Sequence, residues 1–461
     1  MRTEQLRDHM GTDFTQGSIM PMLLRFMLPF LLASILNSLY NTVDTIIIGR
    51  FVGSVGIVSV NTGGRMLNLF TYTGMTLAGG GQVYISQLAG AKRRDALNST
   101  IGTLFTEMLT LSVILGIATF LASDLILTLL HTPVESYAGA FSYLRITCIG
   151  LPLIYGYISV SSVLRGMGDS RSPLIFIAIA AVVNLIGDLV FIVIFHLGAT
   201  GTAIATVLGQ GVSLLFSLSV LYRKRDRFGF DFRLKSFAVN WKTLGIMLKI
   251  GLPMTLRSLL INVTQLYIVS FVNEYGMVKA AAYAICDKIV HLTNIVTTSS
   301  RQAAGGMIGQ NTGANKPERV VSIVHCTMIV TLTAGTLLAL GCAVFHRAVF
   351  GLFTDDAAVM AFSRPFMLIA GLIVFFGAVT SPYESVVTGT GNSMLALIGG
   401  LLDSVIFRLG FSFLFAFTLH MDVTGFVLGD AMARLGPIIV CVAYYYSGAW
   451  RRRKRLVEDS D

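Results

Sequence analysis

The chain has 461 residues, of which 54% are hydrophobic and only 13% are Asp, Glu, Lys or Arg, with a mean hydropathy of +0.74. Soluble domains carry roughly 25% charged residues, so a freely soluble fold is excluded. The formal charge of +10 does not point to nucleic acid, because most of the basic residues fall in the termini and the connections between apolar runs, a distribution that belongs to membrane topology.

Residues 1–20 are polar and lack the pattern of a cleaved signal peptide. Apolar runs then follow at about 22–48, 55–88, 98–123, 137–164, 172–196, 199–222, 243–273, 279–311, 320–345, 358–388, 393–418 and 423–448. Each is long enough to cross ~30 Å of hydrocarbon as a helix, and the alternating strands of a membrane barrel are absent. The predicted fold is all-α and polytopic, with twelve transmembrane helices. Pro29, Pro152, Pro253 and Pro382 fall inside runs and predict kinks.

The connections fix an expected orientation. With both termini cytoplasmic, the inside loops hold Lys92, Arg93, Arg94, Arg165, Arg171, the basic segment 223–242, Lys316, Arg319 and the tail Arg451 to Arg455. The outside loops hold only Arg50, Lys279 and Arg347. The positive-inside rule accounts for this asymmetry. The expected setting is the cytoplasmic membrane of a prokaryote, with lipid and a small molecule as partners, no nucleic acid, and a monomeric chain.

The chain is written twice. Gly166-Met167-Gly168-Asp169-Ser170 matches Gly389-Thr390-Gly391-Asn392-Ser393, and Gln87 to Ala91 matches Gln310 to Ala314, both at an offset of 223. Leu28-Pro29 matches Leu252-Pro253, and Gly201 matches Gly425, at 224. The expected organisation is a six-helix bundle over 1–222, a cytoplasmic linker over 223–242, a second six-helix bundle over 243–450, and a basic tail over 451–461. An even number of spans per half puts the pseudo-two-fold axis along the membrane normal. The glycine motifs stand at turns, where small residues and positive φ are needed.

Chemistry enters with the ionisable residues inside the runs. Asp44 shares its segment with Asn37, Tyr40 and Asn41, and Asp188 lies four residues after Asn184. Such a group costs roughly 2.5–3.5 kcal/mol on insertion scales and is by default a functional hypothesis. Asn184 and Asp188 share a helix face, and Thr202, Thr206 and Gln210 form a second stripe. Counted from the outer run ends, Asp44, Asp188 and Thr206 lie at similar depths, about 8 to 12 Å. Two carboxylates, an amide oxygen, a hydroxyl and the Thr202 carbonyl suit Na⁺ or a shared proton; a hydrogen-bonded structural cluster is the plainer alternative.

The second half holds Asp287, Lys288, His291, Asn294, Thr298 and Arg301 along one run, with Arg257, Glu274, Glu384, Asp403, Arg408, Asp430 and Arg434 elsewhere. Mixed signs, and the i, i+4 spacing of Asp430 and Arg434, predict a buried charge network; a second cation or substrate site using Glu384 and Asp287 is the sharper reading. Candidate substrate-cavity residues are Asn37, Tyr40, Asn41, Gln210, Asp287, His291 and Glu384. The five cysteines and seven histidines show no ligand spacing, and no phosphate-binding G-x-x-x-x-G-K-[ST] loop is present. No cofactor and no catalytic residue are expected.

In its first segment, Gly17-Ser18-Ile19 through Leu28-Pro29 to Leu39-Tyr40-Asn41-Thr42-Val43-Asp44 and Ile48-Gly49-Arg50, the chain resembles the multidrug and toxic compound extrusion (MATE) transporters. Ser86 to Ala91 and Leu164 to Asp169 resemble the same family's second-helix end and fourth loop. The resemblance covers essentially the whole chain and lies nearer the DinF-like branch. It implies a cation or proton site at Asp44, Asn184, Asp188 and Thr206. Where that branch has Pro after the second Asp, this chain has Leu189, which leaves a bend there without its usual cause. The Glu that marks the other main branch is absent from the seventh run, where Arg257 and Gln265 stand instead.

The resemblance implies a secondary antiporter that expels amphipathic, cationic drugs or metabolites in exchange for H⁺ or Na⁺. A lipid-linked oligosaccharide flippase of the same superfamily is the near alternative. An intramembrane enzyme would need a reactive constellation that the sequence lacks, and a channel does not explain two six-span repeats.

Overall fold

In hydrocarbon no water is present to bond backbone groups, so an apolar run must close its hydrogen bonds internally. The computed structural model, which describes residues 12–459, does this almost throughout, with no strand among the described residues. Six long helices make up the first half: α1 (Ile19–Phe51), α2 (Ser54–Gly90), α3 (Arg94–Leu121), α4 (Val134–Gly166), α5 (Arg171–Ile194) and α6 (Gly198–Arg223). The second half has α7 (Trp241–Glu274), α8 (Met277–Gly313), α9 (Pro317–Val344), α10 (Ser363–Gly389), α11 (Ser393–Thr418) and α12 (Asp422–Tyr446). Ten of these are apolar enough to cross a membrane by composition. The other two, α2 and α8, are the longest, at 37 residues each, but carry more polar residues.

The helix ends depart from the expected spans in two places. The run predicted over 98–123 stops at Leu121, and a separate helix, Ser123–Leu129, follows. The run predicted over 358–388 divides into a short turn, Ala357–Met360, and α10.

The repeat is visible in the backbone. Helices α2 and α8 start 223 residues apart and end 223 apart, as do α3 and α9. Positive φ recurs in pairs at the same spacing or one more: Gly53 and Gly276, Lys92 and Asn315, Gly168 and Gly391, His196 and His420, Gly198 and Asp422. At Gly168 (φ 83°) and Gly391 (φ 70°) the chain reverses after α4 and α10, a left-handed conformation that suits glycine.

Helix α5 changes character after Asp188. From Leu189 to Ile194 it widens into a π-helix, immediately after Asp188. Helix α11 does the same over Leu402–Leu409 and Leu414–Thr418. The distortion that proline would supply is therefore present at Leu189 without proline. Its packing partner explains the repeated glycine. A side-chain carbon at Gly201 of α6 would lie 3.0 Å from Phe191, and one at Gly425 of α12 would lie 2.5 Å from Ala416. Both helices press their backbone against the widened turn, where a side-chain carbon is crowded at Gly201 and has no room at Gly425.

The chain forms two compact units. The first holds Leu32–Gly251; the second holds Phe14–Leu31 together with Leu252–Asp459. Helices α1 and α7 thus change unit part-way, within two residues of Pro29 and Pro253. Proline lacks the N–H that would bond the carbonyl four residues back, so the helix is weakest there. The first core is built from α2–α6 by residues such as Ile85, Leu88, Leu104, Leu151 and Val160. The second contains one cluster around Ile268, Phe366 and Phe426 and another around Phe14, Met307 and Val386.

The basic linker is a folded arm of the first unit. Phe228 and Phe230 are buried, and Phe230 packs against Phe105 of α3. Thr106 Oγ1 donates to the Phe237 carbonyl (2.6 Å), and Asn98 Nδ2 donates to Ser236 Oγ (3.3 Å).

Candidate functional site

The polar residues of the first unit converge where α1, α4, α5 and α6 meet. Asp188 is fully buried, Asn184 is 2% exposed and Thr206 7% exposed. Asn184 Nδ2 donates to Thr206 Oγ1 at 3.2 Å, a bond that ties α5 to α6. The carboxyl of Asp44 comes within hydrogen-bonding reach of Asp188. Neither Asp188 oxygen accepts a hydrogen bond from any donor in the protein, and Asp44 Oδ1 is likewise buried and unpartnered. Two acceptors in contact need a shared proton or a cation between them.

Two tyrosines close the cluster. Tyr40 of α1 and Tyr143 of α4 both reach Thr206, and both lie in the field of Asp44 and Asp188. Tyr40 was among the candidates; Tyr143 was not. In an apolar run a tyrosine reads as a core aromatic. The one available signal is the repeat, which places Phe366 at the equivalent position, so the hydroxyl exists in one half alone. Gly63 and Gly64 of α2 face the Tyr143 ring and leave it room.

The remaining candidates of this half lie around the cluster. Thr202 is fully buried one turn from Thr206, and its hydroxyl is unpartnered. Gln210, one turn the other way, has a buried, unpartnered Oε1. Asn37 and Asn41 are exposed and do not join the carboxylates.

The second unit arranges its charges differently. Glu384 Oε1 accepts from Arg257 Nη1 and from Arg301 Nη1, the latter at 2.6 Å. Arg408 is buried and donates to Asp403 at 2.7 Å and to Asp430. Asp430 therefore does not take Arg434, its i, i+4 neighbour. Arg434 sits at the break between two helical stretches of α12, Asp422–Ala433 and Leu435–Tyr446, while Arg408 reaches Asp430 from α11. Asp287 accepts from Gln265 Nε2 (2.9 Å) and lies near His291 and Arg408. Glu384, Asp403 and Asp430 thus have arginine partners within their own unit.

Outside the spans, Asp169 caps the start of α5. Its Oδ1 accepts from the Arg171 and Ser172 amides, and its Oδ2 from Ser172 Oγ and Lys224 Nζ, both at 2.7 Å. Burial alone would push this carboxyl up; the Lys224 ammonium and the Ser172 donors outweigh it and hold Asp169 below its ordinary value.

The MatE family model matches the chain twice, at residues 29–190 and 253–414, an offset of 224. A probable multidrug resistance protein of Bacillus subtilis strain 168, YpnP, is 27% identical over 97% of this chain and 99% of its own length. The multidrug export protein MepA of Staphylococcus aureus strain NCTC 8325 is 22% identical, over 87% of this chain and 88% of its own. A solved structure of a multidrug resistance MATE family transporter of the MOP superfamily, in an outward-facing conformation, has the same fold, with a TM-score of 0.89 at 19% identity, covering 96% of this chain and 99% of that one. With both halves matched at the repeat spacing, the chain belongs to the MatE family of multidrug and toxic compound extrusion transporters.

Proposed function

We propose that the protein is a secondary antiporter that exports amphipathic, cationic compounds in exchange for H⁺ or Na⁺ bound at Asp44 and Asp188. One observation carries the reading: two carboxylates in contact inside a membrane-spanning bundle, with both Asp188 oxygens buried and without a donor. A stable structural cluster would satisfy these oxygens, as the second unit does with arginine. Asn184, Thr206 and Thr202 supply neutral oxygens beside the pair, and Tyr40 and Tyr143 supply hydroxyls. A cation or proton entering here exchanges its water for this set, and its loss returns the pair to mutual repulsion.

The relatives' names, multidrug resistance and multidrug export, support drug-like substrates. The loop charges support cytoplasmic termini in a prokaryotic inner membrane, and the chain acts as a monomer.

Efflux from proteoliposomes under separate proton and sodium gradients tests the reading and names the ion. Wild-type protein should export under one gradient, and Asp188→Asn or Asp44→Asn should reduce that export at least tenfold while the protein remains folded. Normal gradient-driven export by well-expressed Asp188→Asn removes Asp188 from the coupling step.

A further inference from the structure

In the second unit the turn between α8 and α9 is covered by the segment that precedes α1. Phe14 is buried there; its amide donates to Gln310 Oε1 (3.1 Å), and its carbonyl accepts from Asn311 Nδ2 (3.1 Å) and Arg319 Nη2 (3.0 Å). Arg319 also donates to the Gln16 and Gly17 carbonyls, at 3.1 Å each. Its guanidinium thus ties the segment to the start of α9. The first unit repeats the arrangement with the linker. Phe237 stands 223 residues after Phe14 and lies along α3, where Thr106 bonds its carbonyl and Thr103 Oγ1 accepts from the Asn240 amide (3.2 Å). The position of Arg319, however, is held by Ala96. A cavity of about 180 Å³ opens at this point, with Arg93, Asp95, Ala96, Ser99, Asn240 and Lys242 in its wall. A single water needs roughly 10–15 Å³, so the space takes a polyatomic group.

The wall is positive. Arg93 is paired with Asp95 at 3.2 Å, which leaves Lys242 as the excess charge. Lys242 is exposed and has no ion pair or hydrogen bond with any described residue. Its repeat equivalent, at the offset of 223, is Ile19, so the shared fold does not call for a lysine there. Helices α3 and α7 both begin beside the cavity, which adds to its preference for an anion. The level is that of the membrane surface. From Thr103 to Leu121, α3 covers about 27 Å at 1.5 Å per residue, close to the ~30 Å of hydrocarbon; Ala96 and Ser99 lie on the other side of Thr103. Trp241, next to Lys242, is 80% exposed, as suits a residue at the headgroup level. We propose that this cavity binds an anionic phosphate group, with Lys242 as its cation and the Ser99 hydroxyl as a donor. A phospholipid headgroup and free phosphate share that chemistry.

The chain has two tryptophans. Trp450 is buried and gives a constant background, so quenching reports on Trp241. Purified full-length protein in detergent is titrated with phosphatidylglycerol or phosphatidylcholine carrying the same brominated acyl chains. The anionic lipid should bind about tenfold more tightly, the order of one charge-assisted hydrogen bond. Lys242→Gln should erase the preference, and Arg233→Gln, on the same linker but outside the cavity, should keep it. Ala96→Arg places in the cavity the guanidinium that the second unit has; it should erase the preference although it adds positive charge. Inorganic phosphate, against chloride at equal ionic strength, separates the sources. If it displaces the anionic lipid or shifts Trp241 emission, and Ala96→Arg abolishes that response, the ligand is free phosphate; a lipid preference that phosphate leaves intact assigns the headgroup. No lipid preference together with no phosphate response overturns the site. So does a preference that Ala96→Arg strengthens, or that Arg233→Gln lowers as much as Lys242→Gln, since either result belongs to diffuse surface charge. Should Ala96→Arg fail to fold, the comparison of Lys242→Gln with Arg233→Gln decides alone, both side chains being exposed.

Discussion

Position 184 of the first unit and position 408 of the second are repeat equivalents at an offset of 224, and each bonds the residue 22 positions later. In the first unit that bond is neutral, Asn184 to Thr206. In the second it is an ion pair, Arg408 to Asp430. Where the first unit has Asp188, the second has Ser412, and where the first has Asn184, the second has an arginine that also neutralises Asp403. One backbone, with the same π-distorted helix and the same close-packed glycine, has been given two electrostatic characters. The first unit leaves the Asp188 oxygens and Asp44 Oδ1 without a donor, as the proposed site for a mobile cation requires. The second supplies its own fixed cations, which pair with Glu384, Asp403 and Asp430.

The largest effect should come from breaking the self-neutralised side. Arg408→Met takes from buried Asp403 and half-buried Asp430 the guanidinium that bonds both, and removing one partner of a buried pair costs about 3–5 kcal/mol. A sharp drop in the apparent melting temperature of the detergent-purified protein is expected. Replacing both acids as well, Asp403→Asn and Asp430→Asn, should restore most of it, since a neutral cluster has no charge to desolvate. A small loss for Arg408→Met alone would show that the network is not what holds the second unit.

The equivalent change in the first unit should behave in the opposite way. Asn184→Ala removes one neutral hydrogen bond and should cost about 1 kcal/mol of stability. Its effect should appear in ion binding, as a roughly tenfold weaker response of substrate efflux to the coupling gradient, because the proposed site loses a ligand oxygen. If Asn184→Ala destabilises as strongly as Arg408→Met and leaves coupling intact, the contrast between the units is wrong.

Much of this contrast was legible in the sequence, for a physical reason. Charged residues in apolar runs stand out against their surroundings, so Asp44, Asp188, Arg408 and Asp430 could be found one by one. Spacing on a single helix placed Asn184 with Asp188, and Thr206 with Thr202. What spacing could not give was contact between helices. Asp430 lies four residues from Arg434, yet its partner comes from α11. Tyr143 contributes a hydroxyl from a helix whose sequence reads as core. The change of unit inside α1 and α7 was hidden as well, because each is a single uninterrupted helix and a proline within it marks weakness without saying where the helix packs. The linker, read as a basic connection, folds along α3 through hydrogen bonds that composition does not reveal.

The smallest effect concerns the turns, where the contrast reverses. The α4–α5 turn of the first unit is charged, Asp169 with Lys224; the equivalent positions of the second are Asn392 and Ser447, both neutral. Asp169 is held below its ordinary value in the folded protein. Its contribution is therefore complete above the carboxylate's unfolded value, near pH 4, and is lost as pH falls through the depressed folded value. Lys224 is a third exposed, so solvent weakens the pair and Lys224→Met should cost about 1 kcal/mol at neutral pH. Without the ammonium, burial pushes the Asp169 carboxyl back up, and the cap fails at higher pH than in the wild type. Melting curves of both proteins from pH 7 to pH 3 should differ most at neutral pH and converge at the acid end. A Lys224→Met penalty that stays constant down to pH 3 would mean that the lysine acts by packing its stem, and that the charge at this turn contributes nothing the neutral turn of the second unit lacks.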